Sequence, residues 1–248
     1  MQIMLGTKKP WIGRYDRPPA SPGNHDKAAR PIPMNPEWIN QIFSHPDLLV
    51  MGHGQRQEDK NLGLGWLYYA LARLERPRTA VCIGSWRGFV PIMLGQALKD
   101  NNEGGEVVFI DPSFVDEQWR NPERTAAWFS GFGLNNIRHF CMTTQDFTSS
   151  DAFRSINAVD LLFIDGFHSA EQARFDHLAF EKKLTPGATI LFHDSIRKMT
   201  SNIYGNDQPY EHTVVDYMDE LKTRSDMQLM DFPLASGVTL VKQIAAIS

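Results

Sequence analysis

The sequence predicts an α/β protein built on a doubly wound, mostly parallel sheet. From Arg78 onwards, short apolar runs such as 79–83 and 159–164 alternate with longer amphipathic segments. The runs are apolar at nearly every position, which is typical of strands covered by helices on both faces. Strands that alternate with helices form parallel sheets, because each crossover returns the chain to the same edge.

The predicted elements follow one another in a regular order. Strands are expected at 79–84, 106–111, 136–142, 159–165 and 188–194. The helices are expected at 85–100, 122–133, 169–184 and 211–223. The last two apolar runs, 227–232 and 237–243, are separated by a turn short enough for a hairpin, which adds an antiparallel edge to the sheet.

The first part of the chain lacks this alternation. Prolines interrupt residues 1–36, so this stretch can form neither long helices nor central strands. Trp11, Ile12 and Tyr15 are nevertheless apolar enough to dock on the body of the protein or on a second subunit. We therefore expect a docked arm, and a homodimer is possible.

The next segment is predicted to be helical at both ends, from Pro36 and over 65–74. The glycine-punctuated stretch 51–65 between them contains one histidine and several charged residues. It is expected to be a solvated connector, with a loop that closes over a ligand as the alternative. We thus divide the chain into an N-terminal arm with a helical cap or lid (1–77) and a domain that holds all the predicted strands (78–248).

The composition excludes several classes of protein. The 248 residues are 42% hydrophobic and carry a formal charge of −4, whereas a nucleic-acid-binding protein usually presents a basic face. The two cysteines, Cys82 and Cys141, form no C-x-x-C pair, which fits a reducing cytoplasm. The N-terminus is a poor signal peptide, and no apolar run approaches the ~20 residues that cross a bilayer. We expect a soluble, cytoplasmic protein with no nucleic-acid or membrane partner.

The strand expected at 159–165 ends in an acid and is followed at once by an imidazole. Asp165 closes the strand, Gly166 allows a turn, and His168 comes next. Ser169 and Gln172 then have the spacing of a capping box at the start of a helix. Ligands of open α/β sheets bind at this carboxyl edge, so Asp165 and His168 are candidate site residues. The alternative is an ordinary junction whose aspartate only caps the next helix.

Two earlier strand ends carry a pattern typical of a nucleoside site. Gly84, Ser85, Trp86 and Gly88 belong to a G-x-x-x-G turn, which lets backbone amides approach a ligand and points a helix N-terminus at it. The turn lacks the G-x-G-x-x-G pattern, which disfavours a dinucleotide. Asp111 ends the next strand, where an acid can accept both hydroxyls of a ribose. Before a proline, it can instead be a turn residue.

The third strand is followed by candidate contacts for a purine. Gln145 and Asp146 lie there, and Asp146 can accept the exocyclic amine of an adenine while Phe147 covers the ring. A helix cap is the equally favoured alternative for Asp146.

Taken together, these motifs resemble a known family. The chain is similar to the class I S-adenosylmethionine-dependent methyltransferases, and specifically to the small-molecule O-methyltransferases related to macrolide-sugar and catechol enzymes. The motifs that carry the resemblance are CIGSWRG (82–88), FID (109–111), TQDF (144–147), FIDGFHSAEQARFD (163–176) and LTPGATILFHD (184–194). The resemblance implies a Rossmann-like, seven-stranded sheet with a reversed last strand, and S-adenosylmethionine as cofactor.

The resemblance also implies roles for individual residues. Asp165 and Asp194 correspond to metal ligands, Asp165 also borders the cofactor, and His168 corresponds to the catalytic base. His193 stands where related sites often have a second acid, and Cys82 stands where an acid often holds the methionine part of the cofactor. Mg²⁺ or Mn²⁺ is the implied ion, and His193 as a ligand favours Mn²⁺, Fe²⁺ or Zn²⁺ over Mg²⁺. His193 can equally be a packing residue.

The implied activity is metal-assisted methyl transfer to a hydroxyl of a small molecule, a sugar or a phenol. Tyr204, Tyr210 and His212 follow the fifth strand and are candidate acceptor contacts. Two alternatives remain at this point. One is a cofactor-binding module without catalysis. The other is a metal-dependent hydroxylase, since His168, Asp194 and Asp165 or His193 form a set of the two-histidine, one-carboxylate kind.

Overall fold

The computed structural model describes residues 35–50 and 52–244. The expected docked arm, with Trp11, Ile12 and Tyr15, lies outside the described residues, and so does the contact expected to support a dimer.

A seven-stranded sheet forms the centre of the molecule, in the order β3-β2-β1-β4-β5-β9-β8. Its strands are β1 (Thr79–Ile83), β2 (Glu106–Ile110), β3 (Ile137–Phe140), β4 (Val159–Ile164), β5 (Leu184–His193), β8 (Met227–Phe232) and β9 (Val238–Gln243). The first five pair in parallel, and β9 runs antiparallel to both β5 and β8. The predicted fold class, including the reversed C-terminal hairpin, is confirmed.

The strand order reverses next to β1, which pairs with β2 on one side and with β4 on the other. The connections that leave β1 and β4 therefore diverge, and a crevice opens between the carboxyl ends of these two strands. Ligands of doubly wound sheets bind at such a point.

Helices cover both faces of the sheet. They are α1 (Pro36–Phe43), α2 (Gly65–Glu75), α3 (Phe89–Asn101), α4 (Pro122–Gly131), α5 (Thr144–Thr148), α6 (Asp151–Ser155), α7 (Ala170–Glu181) and α8 (Val214–Lys222), with a 3₁₀ turn at Pro46–Leu49. Because side chains alternate along a strand, Ala80 and Cys82 join one core and Val81 and Ile83 join the other. No described helix is both long and apolar enough to span a membrane.

The structure differs from the expectation in three segments. Helix α3 begins at Phe89, because residues 85–88 form the turn itself. Short helices α5 and α6 occupy a stretch with no predicted element. After β5, a two-stranded sheet pairs β6 (Met199–Ser201) with β7 (Tyr210–His212), where only a loop and the start of a helix were expected.

Candidate active site

A cleft of about 980 Å³ opens at the carboxyl ends of β1, β2, β4 and β5. The turns after these strands form its floor, and residues 199–204 form part of its wall. The cleft thus lies at the reversal of strand order, where the fold predicts a ligand.

The turn after β1 brings two backbones unusually close together. A Cβ at Gly84, whose φ is +73°, would lie 2.1 Å from the carbonyl oxygen of Asp165. Ser85 and Trp86 also have positive φ, 145° and 24°, although neither is a glycine. Such conformations cost about 1–3 kcal/mol each and are concentrated at functional sites. All three residues line the cleft, so backbone groups of the turn can approach a ligand.

Gly88 and Cys82 lie near this turn, and their surroundings differ from the expected ones. Gly88 was expected to contact the cofactor, but it precedes α3, and a Cβ there would meet the rings of Trp119 and Phe129. Its role is therefore to let the helix pack closely. The Cys82 thiol lies in the core and donates to the carbonyl of Gly84, and burial raises its pKa. A neutral thiol thus replaces the acid found in related sequences.

Asp111 lies at the expected strand end and lines the cleft. Its Oδ1 accepts from the backbone amide of Ser113 at 2.7 Å, which is the local turn contact considered above. Burial raises the pKa of the carboxyl group to about 7. Asp111 makes this turn contact and also lines the cleft. One of its carboxyl oxygens can therefore still accept a hydrogen bond from a hydroxyl group of a ligand.

The expected purine contacts are only partly placed in the cleft. Gln145 lines it, and its amide donates to Gln172 at 2.9 Å. Asp146 does not line it. Its carboxylate instead accepts from the hydroxyl of Thr143, which is the residue that caps α5. Phe147 cannot cover an adenine, because it is fully buried in the core.

Asp176 is a cleft residue that sequence reasoning assigned to surface or inter-helix contacts. It is almost fully buried, and its Oδ1 accepts from Gln172 at 2.8 Å. Burial raises its pKa to about 6, although hydrogen bonds from Thr144 and Gln172 act in the opposite direction. Its position in the second turn of an amphipathic helix offered no signal that it would reach the cleft.

Two carboxylates and four imidazoles lie close together at the cleft, and we call them the acid–imidazole cluster. Its members are Asp165, Asp194, His53, His168, His193 and His212. The structure therefore brings together Asp165, His168 and Asp194, as the strand ends predicted.

His193 lies between the two carboxylates. Its Nδ1 is 2.8 Å from Asp165 Oδ1 and 3.2 Å from Asp194 Oδ1, and its Nε2 is 2.9 Å from the hydroxyl of Ser236. Burial alone would lower the pKa of His193, but the two carboxylates outweigh it and raise the pKa to about 9. Both ring nitrogens of His193 thus have protein partners, and its Nδ1 lies where the expected ion would contact the two carboxylates.

Asp194 also faces two further imidazoles. Its Oδ2 lies 2.7 Å from Nδ1 of His212 and 3.4 Å from Nδ1 of His168. Burial acts to raise the pKa of Asp194, but His193, His212 and His168 lower it well below its usual range. Burial lowers the pKa of His168, so its imidazole is neutral at neutral pH.

His53 belongs to the cluster although its segment was expected to be a solvated connector. It is fully buried, its Nε2 lies 3.9 Å from Asp165 Oδ2, and its Nδ1 lies 3.1 Å from the hydroxyl of Tyr68. Burial lowers its pKa to about 3. Leu62 and Leu64 of the same segment are also buried. These two apolar residues were the sequence signal that the segment is not a solvated connector.

An aromatic group forms one rim of the cleft. Phe167, Tyr204 and Tyr210 contact one another with ring centroids 4.8–5.8 Å apart. Phe167 and Tyr204 line the cleft, whereas Tyr210 does not and donates to the carbonyl of Phe167. Of the three expected acceptor contacts, Tyr204 and His212 therefore face the cleft.

Comparison with known proteins agrees with the fold described above. Residues 81–195 match a family model described as a methyltransferase domain. No curated protein sequence matches the chain significantly.

Solved structures with low sequence identity share the fold. A putative O-methyltransferase from Klebsiella pneumoniae has a TM-score of 0.61 at 14% identity, over 86% of this chain and 92% of its own. The O-methyltransferase TomG from Streptomyces achromogenes, involved in tomaymycin synthesis and solved with S-adenosylmethionine, has 0.57 at 18%, over 86% and 92%. An O-methyltransferase from Bacillus cereus, solved with S-adenosylhomocysteine, has 0.58 at 16%, over 84% and 89%.

The matched segment begins in β1 and ends just after β5, so it contains the turn at Gly84, Asp111 and four members of the acid–imidazole cluster. The chain thus shares its fold with these O-methyltransferases, and its residues 81–195 are similar to a methyltransferase domain.

Proposed function

We propose that the chain transfers the methyl group of S-adenosylmethionine to a hydroxyl group of a small molecule, of the sugar or phenol type. The observation that carries this proposal is a single cleft lined by two chemically different groups of residues. One group is the glycine turn with Asp111, which suits an adenosyl group. The other is a neutral imidazole beside two carboxylates. A hydroxyl acceptor needs such a base, because an alcohol is a weak nucleophile until its proton leaves.

The cofactor supplies an electrophilic methyl group on a sulfonium. The Gly84–Trp86 turn and Asp111 would hold the adenosyl part, and Gln145 lies near the expected position of its base. The residues on the opposite side would place the acceptor oxygen in line with the methyl group. Alignment of two bound reactants accounts for much of the acceleration in reactions of this type.

His168 is the proposed proton acceptor. Its Nδ1 faces Asp194 Oδ2 at 3.4 Å and Asp165 Oδ1 at 3.9 Å, which leaves Nε2 for the acceptor hydroxyl. A proton taken at Nε2 creates an imidazolium, and the two carboxylates stabilise that charge. The O–H bond would break towards His168 while the oxygen forms a bond to the methyl carbon and the carbon–sulfur bond breaks, which would give the methyl ether, S-adenosylhomocysteine and a proton on His168.

The metal expected on Asp165, Asp194 and His193 does not fit these contacts. The Nδ1 of His193 already lies between the two carboxylates, where the ion was expected. Our proposal therefore routes no step through an ion at that position. The aromatic rim of Phe167 and Tyr204 supports a ring-shaped acceptor, since rings stack well on aromatic faces.

The base assignment is tested with His168→Ala. We expect the variant to bind S-adenosylhomocysteine like the wild type, while turnover falls about 10²–10⁴-fold, the usual contribution of a general base. Turnover is measured with labelled S-adenosylmethionine and a panel of sugars and phenols. His45→Ala is the matched control, because His45 packs on Trp128 away from the cleft. Near-normal turnover in His168→Ala would show that another group takes the proton.

A second outcome separates this proposal from a cofactor-binding module without catalysis. If the wild-type protein binds S-adenosylhomocysteine but methylates no hydroxylated compound in the panel, the proposed activity is wrong while the cofactor site stands.

A further inference from the structure

We propose that His168, Asp194 and His212 form a binding site for a borderline transition-metal ion such as Zn²⁺, Co²⁺ or Fe²⁺. Each residue offers one ligand atom, and these atoms lie within 4.8 Å of one another. This set differs from the expected one, because it excludes Asp165 and His193 and includes a histidine from outside the matched domain segment.

The geometry converges on one carboxylate oxygen. Nδ1 of His212 lies 2.7 Å and Nδ1 of His168 lies 3.4 Å from Oδ2 of Asp194. The two imidazole rings are stacked, with centroids 4.4 Å apart and planes inclined by 5°. Two imidazole nitrogens and a carboxylate thus face the same small volume on one side of the cleft, and an ion there would replace the proton that His212 donates to Asp194.

Two buried polar atoms of this set are left without a hydrogen bond within the described part of the chain. Neither Nδ1 of His168 nor Oδ1 of Asp194 forms a hydrogen bond with any residue that the structure describes. Leaving a buried polar atom unpaired costs about 1–3 kcal/mol, and more for a charged group. Asp194 also adopts a left-handed conformation, with φ of 53°. A bound cation at Oδ2 would satisfy Nδ1 of His168, while Oδ1 lies 3.2 Å from Nδ1 of His193.

His212 has a contact at its second ring nitrogen, as metal-binding histidines usually do. Its second nitrogen, Nε2, lies 2.7 Å from the hydroxyl of Ser201. Metal-bound histidines commonly fix their ring through such a contact at the nitrogen that faces away from the ion. The pairing of β6 with β7 sets this contact, since Ser201 and His212 lie on neighbouring strands.

The donor set determines the class of ion. Mg²⁺ and Ca²⁺ prefer oxygen ligands, whereas imidazole suits zinc, iron, cobalt, nickel and copper. Two imidazoles and one carboxylate leave further coordination positions open, and all three residues line the cleft.

The consequence for activity rests on the proposed function. An imidazole that holds an ion through Nδ1 carries its proton on Nε2, so it cannot accept another one. We therefore expect the ion to withdraw His168 from the role of base and to slow methyl transfer.

The test is a titration of the metal-free protein with Co²⁺, followed by calorimetry and by the visible absorption of the bound ion. Two variants on either side of Asp194 form a matched pair. His212→Asn should weaken Co²⁺ binding by at least about tenfold, the loss typical of a disturbed metal site. His193→Asn removes a contact to Asp194 but no proposed ligand, so its loss of affinity should be clearly smaller than that of His212→Asn.

Binding of S-adenosylhomocysteine and the circular dichroism spectrum confirm that both variants are folded. The proposal is overturned if the wild type binds no Co²⁺, or if His193→Asn loses the ion while His212→Asn keeps it. Added Co²⁺ should also slow wild-type turnover, and acceleration would contradict the stated consequence. Because the titration needs neither cofactor nor acceptor, its failure leaves the proposed methyl transfer untouched, and the reverse also holds.

Discussion

Gly84 has the strictest steric requirement among the residues of the cleft. It combines a positive φ with an approach to the carbonyl of Asp165 that leaves no room for a side chain. The residue thereby sets the distance between the turn after β1 and the turn after β4. These two turns border the cofactor end and the acid–imidazole end of the cleft.

Gly84→Ala should therefore damage both stability and cofactor binding. The left-handed conformation alone costs about 1–3 kcal/mol, and the clash with backbone adds to it. The control is Gly131→Ala, because a Cβ there meets no atom within 4 Å. Denaturant unfolding and calorimetry with S-adenosylhomocysteine provide the measurements. If the two substitutions had equal effects, the close approach at Gly84 would contribute nothing to stability or to cofactor binding.

Asp176 should make stability depend on pH. Its pKa in the folded protein is about 6, above its ordinary value of 3.8, so folding favours the protonated form. The stability that the proton contributes is fully present below pH 3.8 and is lost as the pH rises through about 6. Compared with Asp176→Asn, the wild type should lose at most about 3 kcal/mol over that interval.

The measurement is the unfolding free energy of both proteins between pH 4 and pH 7. Asp151→Asn, at an exposed position on α6, is the control and should show a constant difference from the wild type. A constant difference for Asp176→Asn as well would contradict the raised pKa.

Sequence alone could identify Asp165, His168 and Asp194, because each lies at the end of a buried run where a parallel sheet exposes its carboxyl edge. It could not identify His53 or His212 as neighbours of these residues. His53 comes from an irregular loop and His212 from a three-residue strand, and neither segment has a periodic pattern. Only tertiary packing brings them to the cluster.

At the scale of single elements, helix α7 follows the turn that holds Asp165 and His168, and its residues Gln172 and Asp176 also line the cleft. Ser169 caps it by accepting from the amide of Gln172 at 3.1 Å, as the capping-box spacing predicted. The reciprocal half of the box is absent, because the side chain of Gln172 instead contacts Asp176 and Gln145. The start of the helix is thus predictable, while the use of Gln172 depends on the neighbouring elements.

Ser169→Ala should lower the free energy of unfolding by about 1 kcal/mol, the usual cost of a lost helix cap. Ser169→Thr keeps a hydroxyl and should lose much less. Ser155→Ala removes an exposed hydroxyl from the end of α6 and should change stability by less than about 0.5 kcal/mol. The comparison is made by chemical denaturation, and equal losses at residues 155 and 169 would argue against the cap.

The elements that sequence reasoning missed share a physical cause. Helices α5 and α6 have five residues each, and β6 and β7 have three. Elements of this length contain about one turn or one strand repeat, so hydrophobic periodicity carries little information about them. Their helix caps and cross-strand contacts stabilise these elements only in the folded chain.

For the whole molecule, the alternation of strands and helices was sufficient to predict the sheet and its antiparallel edge. The helices before β1 were not predicted to share its core. Trp38, Ile42 and Tyr68 nevertheless pack in the same apolar cluster as Phe163 of β4. Tyr68 also contacts His53, so the packing of α2 helps to hold one member of the acid–imidazole cluster.

The central claim is that one cleft holds an adenosyl cofactor at one end and the acid–imidazole cluster at the other. A crystal structure with S-adenosylhomocysteine tests it most directly. We expect the ribose hydroxyls at the carboxyl group of Asp111 and the sulfur directed towards Asp165 and His168. An adenosyl group remote from Asp111, or a sulfur that faces away from His168, would contradict the account.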